Sequence, residues 1–88
     1  MSEAIKFKTI SNGDAATQDH QSFLDFTAWL ETTYTKVHQT LKLQKVAEHT
    51  LLFKWQGRNG ALKPILLTAH YDVVPLVPGS ESDWYYPP

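Results

Sequence analysis

The chain has 88 residues, a formal net charge of -1 and no cysteine, which limits it to one small domain and excludes disulfides and thiolate metal ligands. A folded chain of this length buries only about 60 to 65% of the surface it exposes when unfolded, and its nearly balanced charge argues against a basic surface for nucleic acid or anionic lipid. No apolar run approaches the ~18 residues of a membrane span, and the opening Met1-Ser2-Glu3-Ala4-Ile5-Lys6 lacks the basic-then-apolar pattern of a signal peptide; localisation stays open.

In chain order, Ile5, Phe7 and Thr9 alternate with Lys6 and Lys8, which reads as a short strand or extended lead-in. Asn12-Gly13-Asp14, within residues 11–17, supplies residues that tolerate the conformations turns need. A helix is expected to follow, with Thr17 as its N-cap and Asp19 at the positive end of its dipole. Phe23, Phe26, Leu30, Tyr34 and Val37 recur every three or four residues, with Leu24 and Trp29 widening the stripe. This amphipathic helix should end between Val37 and Thr40. Period two then replaces period 3.6: residues 41–47, a turn at Glu48-His49 and residues 50–56 predict a β-hairpin.

Gly57-Arg58-Asn59-Gly60 breaks the pattern, and Pro64 suits the first position of a further strand. Ile65 to Ala69 is a nearly continuous apolar run of the kind found in strands covered on both faces, as in a parallel α/β sheet. His70 and Asp72 follow at its carboxyl end, where open α/β sheets place ligands. Side chains two apart in a strand share a face, so the imidazole and the carboxylate would lie side by side. Beyond Pro75 the chain becomes a loop rich in Pro, Gly and Ser.

His70-Tyr71-Asp72 is the constellation with chemical content. A neutral imidazole ligates zinc well, and a carboxylate beside it can accept its other N–H or ligate in its own right. The plainer alternative is a strand-end histidine followed by a turn-capping aspartate. His20, His38 and His49 read as structural or solvated, since none stands at metal-ligand spacing from another. Zinc sites usually take at least three protein ligands, so one histidine and one carboxylate leave a site incomplete. No phosphate-binding glycine loop is present, and Ser80 and Ser82 lack a recognisable base. Asp25 and Glu31 read as the wet face of the helix. Trp84, Tyr85 and Tyr86 could bind sugar or peptide, or pack on further chain.

The run from Leu66 to Pro75, Leu-Leu-Thr-Ala-His-Tyr-Asp-Val-Val-Pro, resembles the first metal-binding motif of the aminoacylase and carboxypeptidase S family of di-zinc metallopeptidases. Residues 50–57 resemble the hairpin strand that precedes this motif in the family's Gly-X carboxypeptidase branch, and Leu62-Lys63-Pro64 its lead-in. Residues 84–88 resemble the Trp-x-x-Pro-Pro segment that follows. Together these matches cover about the last forty residues.

The resemblance implies that His70 ligates one of two zinc ions and that Asp72 is the catalytic-site carboxylate that orients it. It places the bridging aspartate, the general-base glutamate and the remaining ligands further along the family's chain. The fold implied is α/β: residues 1–88 as the N-terminal piece (helix, β-hairpin and central strand) of a three-layer α/β/α catalytic domain, incomplete and inactive alone. The activity implied for the intact protein is zinc-dependent amide hydrolysis of short peptides or N-acyl amino acids, with a homodimer formed through a smaller domain that this chain lacks. A central strand without its neighbours would leave unpaired edges and an uncovered apolar face. The alternative reading is a small non-catalytic α/β binding or interaction module in which His70 and Asp72 are structural.

Overall fold

The computed structural model describes residues 3–86. The two prolines closing the Trp-x-x-Pro-Pro segment, Pro87 and Pro88, lie outside them. The elements are two α-helices, α1 (His20–Thr33) and α2 (Thr35–Thr40), and two strands, β1 (Lys42–Val46) and β2 (Thr50–Lys54). Short 3-10 turns at Ala4–Lys6, Ala15–Thr17 and Glu81–Asp83 punctuate the connections. This is a small mixed α/β unit, and the described residues do not form a three-layer sandwich.

Helix α1 starts two residues later than the sequence suggests. Asp19 is its N-cap: one carboxylate oxygen accepts from the Ser22 amide at 3.3 Å and the other from the Ser22 hydroxyl at 2.7 Å. Thr17 instead closes the preceding 3-10 turn, donating its hydroxyl to the Asp14 carbonyl at 3.1 Å. The carboxylate wins the cap because it meets two donors at once, one of them an otherwise unsatisfied helix N–H.

The expected single helix is broken at Tyr34, whose φ of -111° and ψ of 54° leave the helical region. A run of threonines surrounds the break, and the Thr32 hydroxyl bonds back to the Trp29 carbonyl at 3.0 Å. Both favour bending, since β-branched side chains lose freedom in helices and their hydroxyls compete for helix carbonyls. The Tyr34 carbonyl then starts α2, accepting from the amide of Val37 at 3.1 Å.

The hairpin forms as its alternation predicts. β1 and β2 are antiparallel, with Leu43 opposite Phe53 and Lys45 opposite Leu51. The turn is three residues long, and Ala47 at its start takes a positive φ of 54°. Leu51 and Phe53 alternate with exposed neighbours along β2, so one face of the strand is partly covered.

The core is small and aromatic. Among the described residues, Phe23 and Phe26, one turn apart on α1, are its buried apolar residues, and Thr9 is the buried polar one. Phe7 meets Phe26 edge-on at 5.5 Å and Trp29 at 5.7 Å. Tyr71 lies against both core rings, 5.0 Å from Phe26 and 5.8 Å from Phe23. The lead-in is therefore not a regular strand: its first half is a 3-10 turn, and only Phe7, Thr9 and Ile10 engage the core or the segment around Tyr71.

The segment Ile65 to Ala69 corrects the expectation of a covered central strand. It has no strand partner among the described residues and no regular structure, and Ile65, Leu66 and Leu67 are 86%, 75% and 87% exposed. A strand needs neighbours for its N–H and C=O groups, and the hairpin does not run beside it. Parallel pairing among the described residues is one bridge further on, between Ile10 and Val73. The radius of gyration, 16.5 Å, exceeds the ~12 Å expected of a compact domain of this length, because residues beyond the hairpin lie largely outside the core.

Two outcomes follow for the chain in solution. Phe26→Ala should cost about 3 to 5 kcal/mol, as buried aromatic truncations do, whereas Ile65→Ala should stay within about 0.5 kcal/mol, as exposed sites do. Urea midpoints measure both, and equal losses would contradict the placement of residues 65–69. The Ser22 hydroxyl, then its amide, hold the Asp19 carboxyl below its ordinary value of 3.8. Its contribution to α1 is thus present above pH 3.8 and lost as pH falls through the lowered value. Far-UV circular dichroism should show helix fraying in that acid range, and Asp19→Asn should remove the transition.

Candidate functional site

His70 and Asp72 come together although no strand leads into them. His70 Nδ1 lies 3.1 Å from Asp72 Oδ1 and 3.2 Å from the Asp72 carbonyl oxygen. The imidazole is well exposed and the carboxylate partly so. With Nδ1 carrying the proton and donating to the carboxylate, Nε2 is left with its lone pair, the form in which a histidine ligates a metal.

Tyr71 sets this arrangement. Its ring turns inward onto Phe23 and Phe26, and its hydroxyl donates to the His49 carbonyl in the hairpin turn. Its own carbonyl accepts from the buried Thr9 hydroxyl at 2.6 Å. Two residues further on, the Val73 amide donates to the Thr9 carbonyl and the Val73 carbonyl accepts from the Ser11 amide, both at 2.9 Å. Burial raises the Tyr71 phenol above its ordinary value, and the nearby Asp72 charge raises it further. The phenol therefore keeps its proton, and its bond to His49, throughout the neutral range. The period-two logic thus survives over three residues: Tyr71 faces the core while its neighbours remain free to pair.

An open groove of about 660 Å³ runs from the core to this pair, bounded by α1, β2 and residues 69–72. Phe23, Phe26, Leu30, Leu51 and Phe53 give it an apolar floor, and His70 and Asp72 stand at its edge. The surface can accept more apolar chain or an apolar side chain.

Of the other candidates, His38 is structural: its Nδ1 lies 3.0 Å from the Tyr34 carbonyl and its ring is edge-on to Phe53 at 5.2 Å. Asp25 is exposed and accepts from Gln21 at 2.7 Å. Trp84, Tyr85 and Tyr86 are all exposed, the two tyrosine rings 4.9 Å apart. His20 and His49 depart from the sequence reading, which finds no two histidines at ligand spacing. His20 Nδ1 and His49 Nε2 are 2.7 Å apart, and Glu48 Oε2 lies 3.3 Å from the former and 4.0 Å from the latter. Twenty-nine residues separate the two histidines along the chain, so no local spacing rule finds them. Packing of the hairpin turn over the start of α1 brings them together.

No protein-family model matches this chain, and no solved structure does either. Curated proteins do. The chain is 40% identical over 87 residues to probable carboxypeptidase S-like 1 of Dictyostelium discoideum, covering 98% of this chain and 17% of that protein. It is 42% identical over 90 residues to probable carboxypeptidase S-like 2 of the same organism, covering 100% and 17%. Against carboxypeptidase S of Saccharomyces cerevisiae it is 42% identical over 69 residues, covering 78% and 12%. The chain thus spans 12% to 17% of the length of these relatives. Over that span it is a homologue of carboxypeptidase S and the carboxypeptidase S-like proteins.

Proposed function

We propose that this chain supplies one wall of the metal site of a carboxypeptidase S-type peptidase and does not hydrolyse peptides by itself. The observation that carries the reading is the His70–Asp72 pair, with Nδ1 held at 3.1 Å by the carboxylate. That donor chemistry fits zinc, which takes neutral imidazole nitrogen and is commonly backed by a carboxylate on the opposite ring nitrogen. The names of the curated relatives support peptide hydrolysis as the activity of the whole protein.

Each residue has a distinct part in this reading. His70 offers Nε2 to one of two zinc ions. Asp72 fixes the tautomer and holds the ring plane. Tyr71 holds both neighbours against the hairpin turn through its core-facing ring and its hydroxyl. The bound zinc ions would supply Lewis acidity at the scissile amide. A general base and the other ligands would come from chain beyond this sequence, and the apolar groove floor would be covered by the rest of a three-layer α/β/α catalytic domain. The substrate class is a short peptide or N-acyl amino acid cleaved beside a free carboxylate.

Hydrolysis of short peptides by the polypeptide of the whole reading frame, assayed beside the 88-residue chain, tests this reading. The longer polypeptide should turn over with zinc and the shorter one should not. In the longer polypeptide, His70→Ala should abolish most activity, and Asp72→Ala should lower metal affinity or rate about 10- to 100-fold. Turnover like the unmodified protein in either variant would remove the role assigned to that residue.

A further inference from the structure

The geometry points to a divalent transition-metal site formed by His20, Glu48 and His49, which clips the first residue of α1 to the β1–β2 turn. It shares no residue with the His70–Asp72 pair and does not depend on the function proposed above. His20 Nδ1, His49 Nε2 and Glu48 Oε2 all lie within 4.8 Å of one another. Ligands held at ~2.0 to 2.1 Å around a tetrahedral zinc ion stand ~3.3 Å apart. The His20–Glu48 separation already has that value at 3.3 Å, and the His49–Glu48 separation is 4.0 Å.

The third separation, between the imidazole nitrogens, is 2.7 Å. That is a hydrogen bond, in which one ring donates the proton between them and the other accepts it. A metal ion replacing that proton would push the nitrogens apart by ~0.6 Å to reach ligand spacing. Small side-chain rotations can supply this, because His20 and Glu48 are both well exposed. Two imidazoles and one carboxylate favour zinc, cobalt, nickel or copper over magnesium or calcium, which prefer all-oxygen sites. Three protein ligands leave a fourth position for water.

Charge and partner accounting limit the affinity. The start of α1 carries the positive end of the helix dipole, which opposes a cation; the carboxylates of Asp19 and Glu48 at the same end offset it. Among the described residues, His49 Nδ1 is buried without a hydrogen-bond partner. If Nε2 ligates, Nδ1 carries the proton with no acceptor, whereas strong sites give that N–H a partner. The expected affinity is therefore micromolar rather than that of a closed structural zinc site.

Equilibrium dialysis of the 88-residue chain against zinc, followed by elemental analysis, tests the assignment, with thermal melts beside it. One zinc per chain at micromolar free zinc is expected, with a higher melting midpoint. Glu48→Gln, which keeps the side-chain shape at an exposed position, should weaken binding at least 10-fold. His20→Ala should do the same, whereas His70→Ala should leave it unchanged. Failure to retain zinc would overturn the site, as would retention unaltered in the His20→Ala, Glu48→Gln double variant. So would loss of this zinc in His70→Ala alone, which would assign the ion to the other pair. Far-UV circular dichroism of each metal-free variant checks that α1 and the hairpin are still folded.

Discussion

The inward turn of Tyr71 is the constraint on which the rest of this structure depends. A small chain has few apolar residues to spend on holding a loop, and here one aromatic ring joins three pieces of chain. The ring lies against Phe23 and Phe26, the hydroxyl bonds the His49 carbonyl in the hairpin turn, and the backbone carbonyl receives the Thr9 hydroxyl. The helix, the hairpin and the lead-in therefore meet at one residue. Its two neighbours, the residues with chemical content, are left at the surface with their pairing set by the local backbone. Tyr71 is both the keystone of the core and the mount of the candidate site.

Several apolar surfaces of the described residues stay open to water. The half-buried Leu30, Leu51 and Phe53 along the groove, the exposed run at Ile65 to Leu67 and the exposed aromatics at Trp84 to Tyr86 leave apolar surface facing water. The relatives it matches are roughly six times longer, since 87 aligned residues make up 17% of one and 69 make up 12% of another. The absence of regular structure at residues 65–69 has a physical cause: backbone groups in a lone strand find partners only in water, so apolar side chains alone cannot hold the conformation.

Elements whose stability is local were legible in the sequence, and elements that depend on distant partners were not. The stripe of Phe23, Phe26 and Leu30 and the alternation of the hairpin come from periodicity, and both elements formed at nearly the expected positions. The helix start moved from Thr17 to Asp19 because capping is decided by which oxygen reaches Ser22, and the break at Tyr34 came from a threonine run whose hydroxyls bond backward. Ile65 to Ala69 carried a strong strand pattern that nothing among the described residues pairs with. His70 and Asp72 were legible as neighbours, although the reason they pair is the anchoring of Tyr71 rather than a strand. The His20, Glu48 and His49 cluster was invisible because its spacing is tertiary.

For His70 to present Nε2 to a metal, Asp72 must hold the proton on Nδ1. Nitrogen-15 NMR of the His70 ring, recorded where the imidazole is neutral, reads this directly. The expected result is the Nδ1–H tautomer, lost or mixed in Asp72→Ala and in Tyr71→Ala. A ring in the Nε2–H tautomer, or one whose tautomer ignores both substitutions, would contradict it.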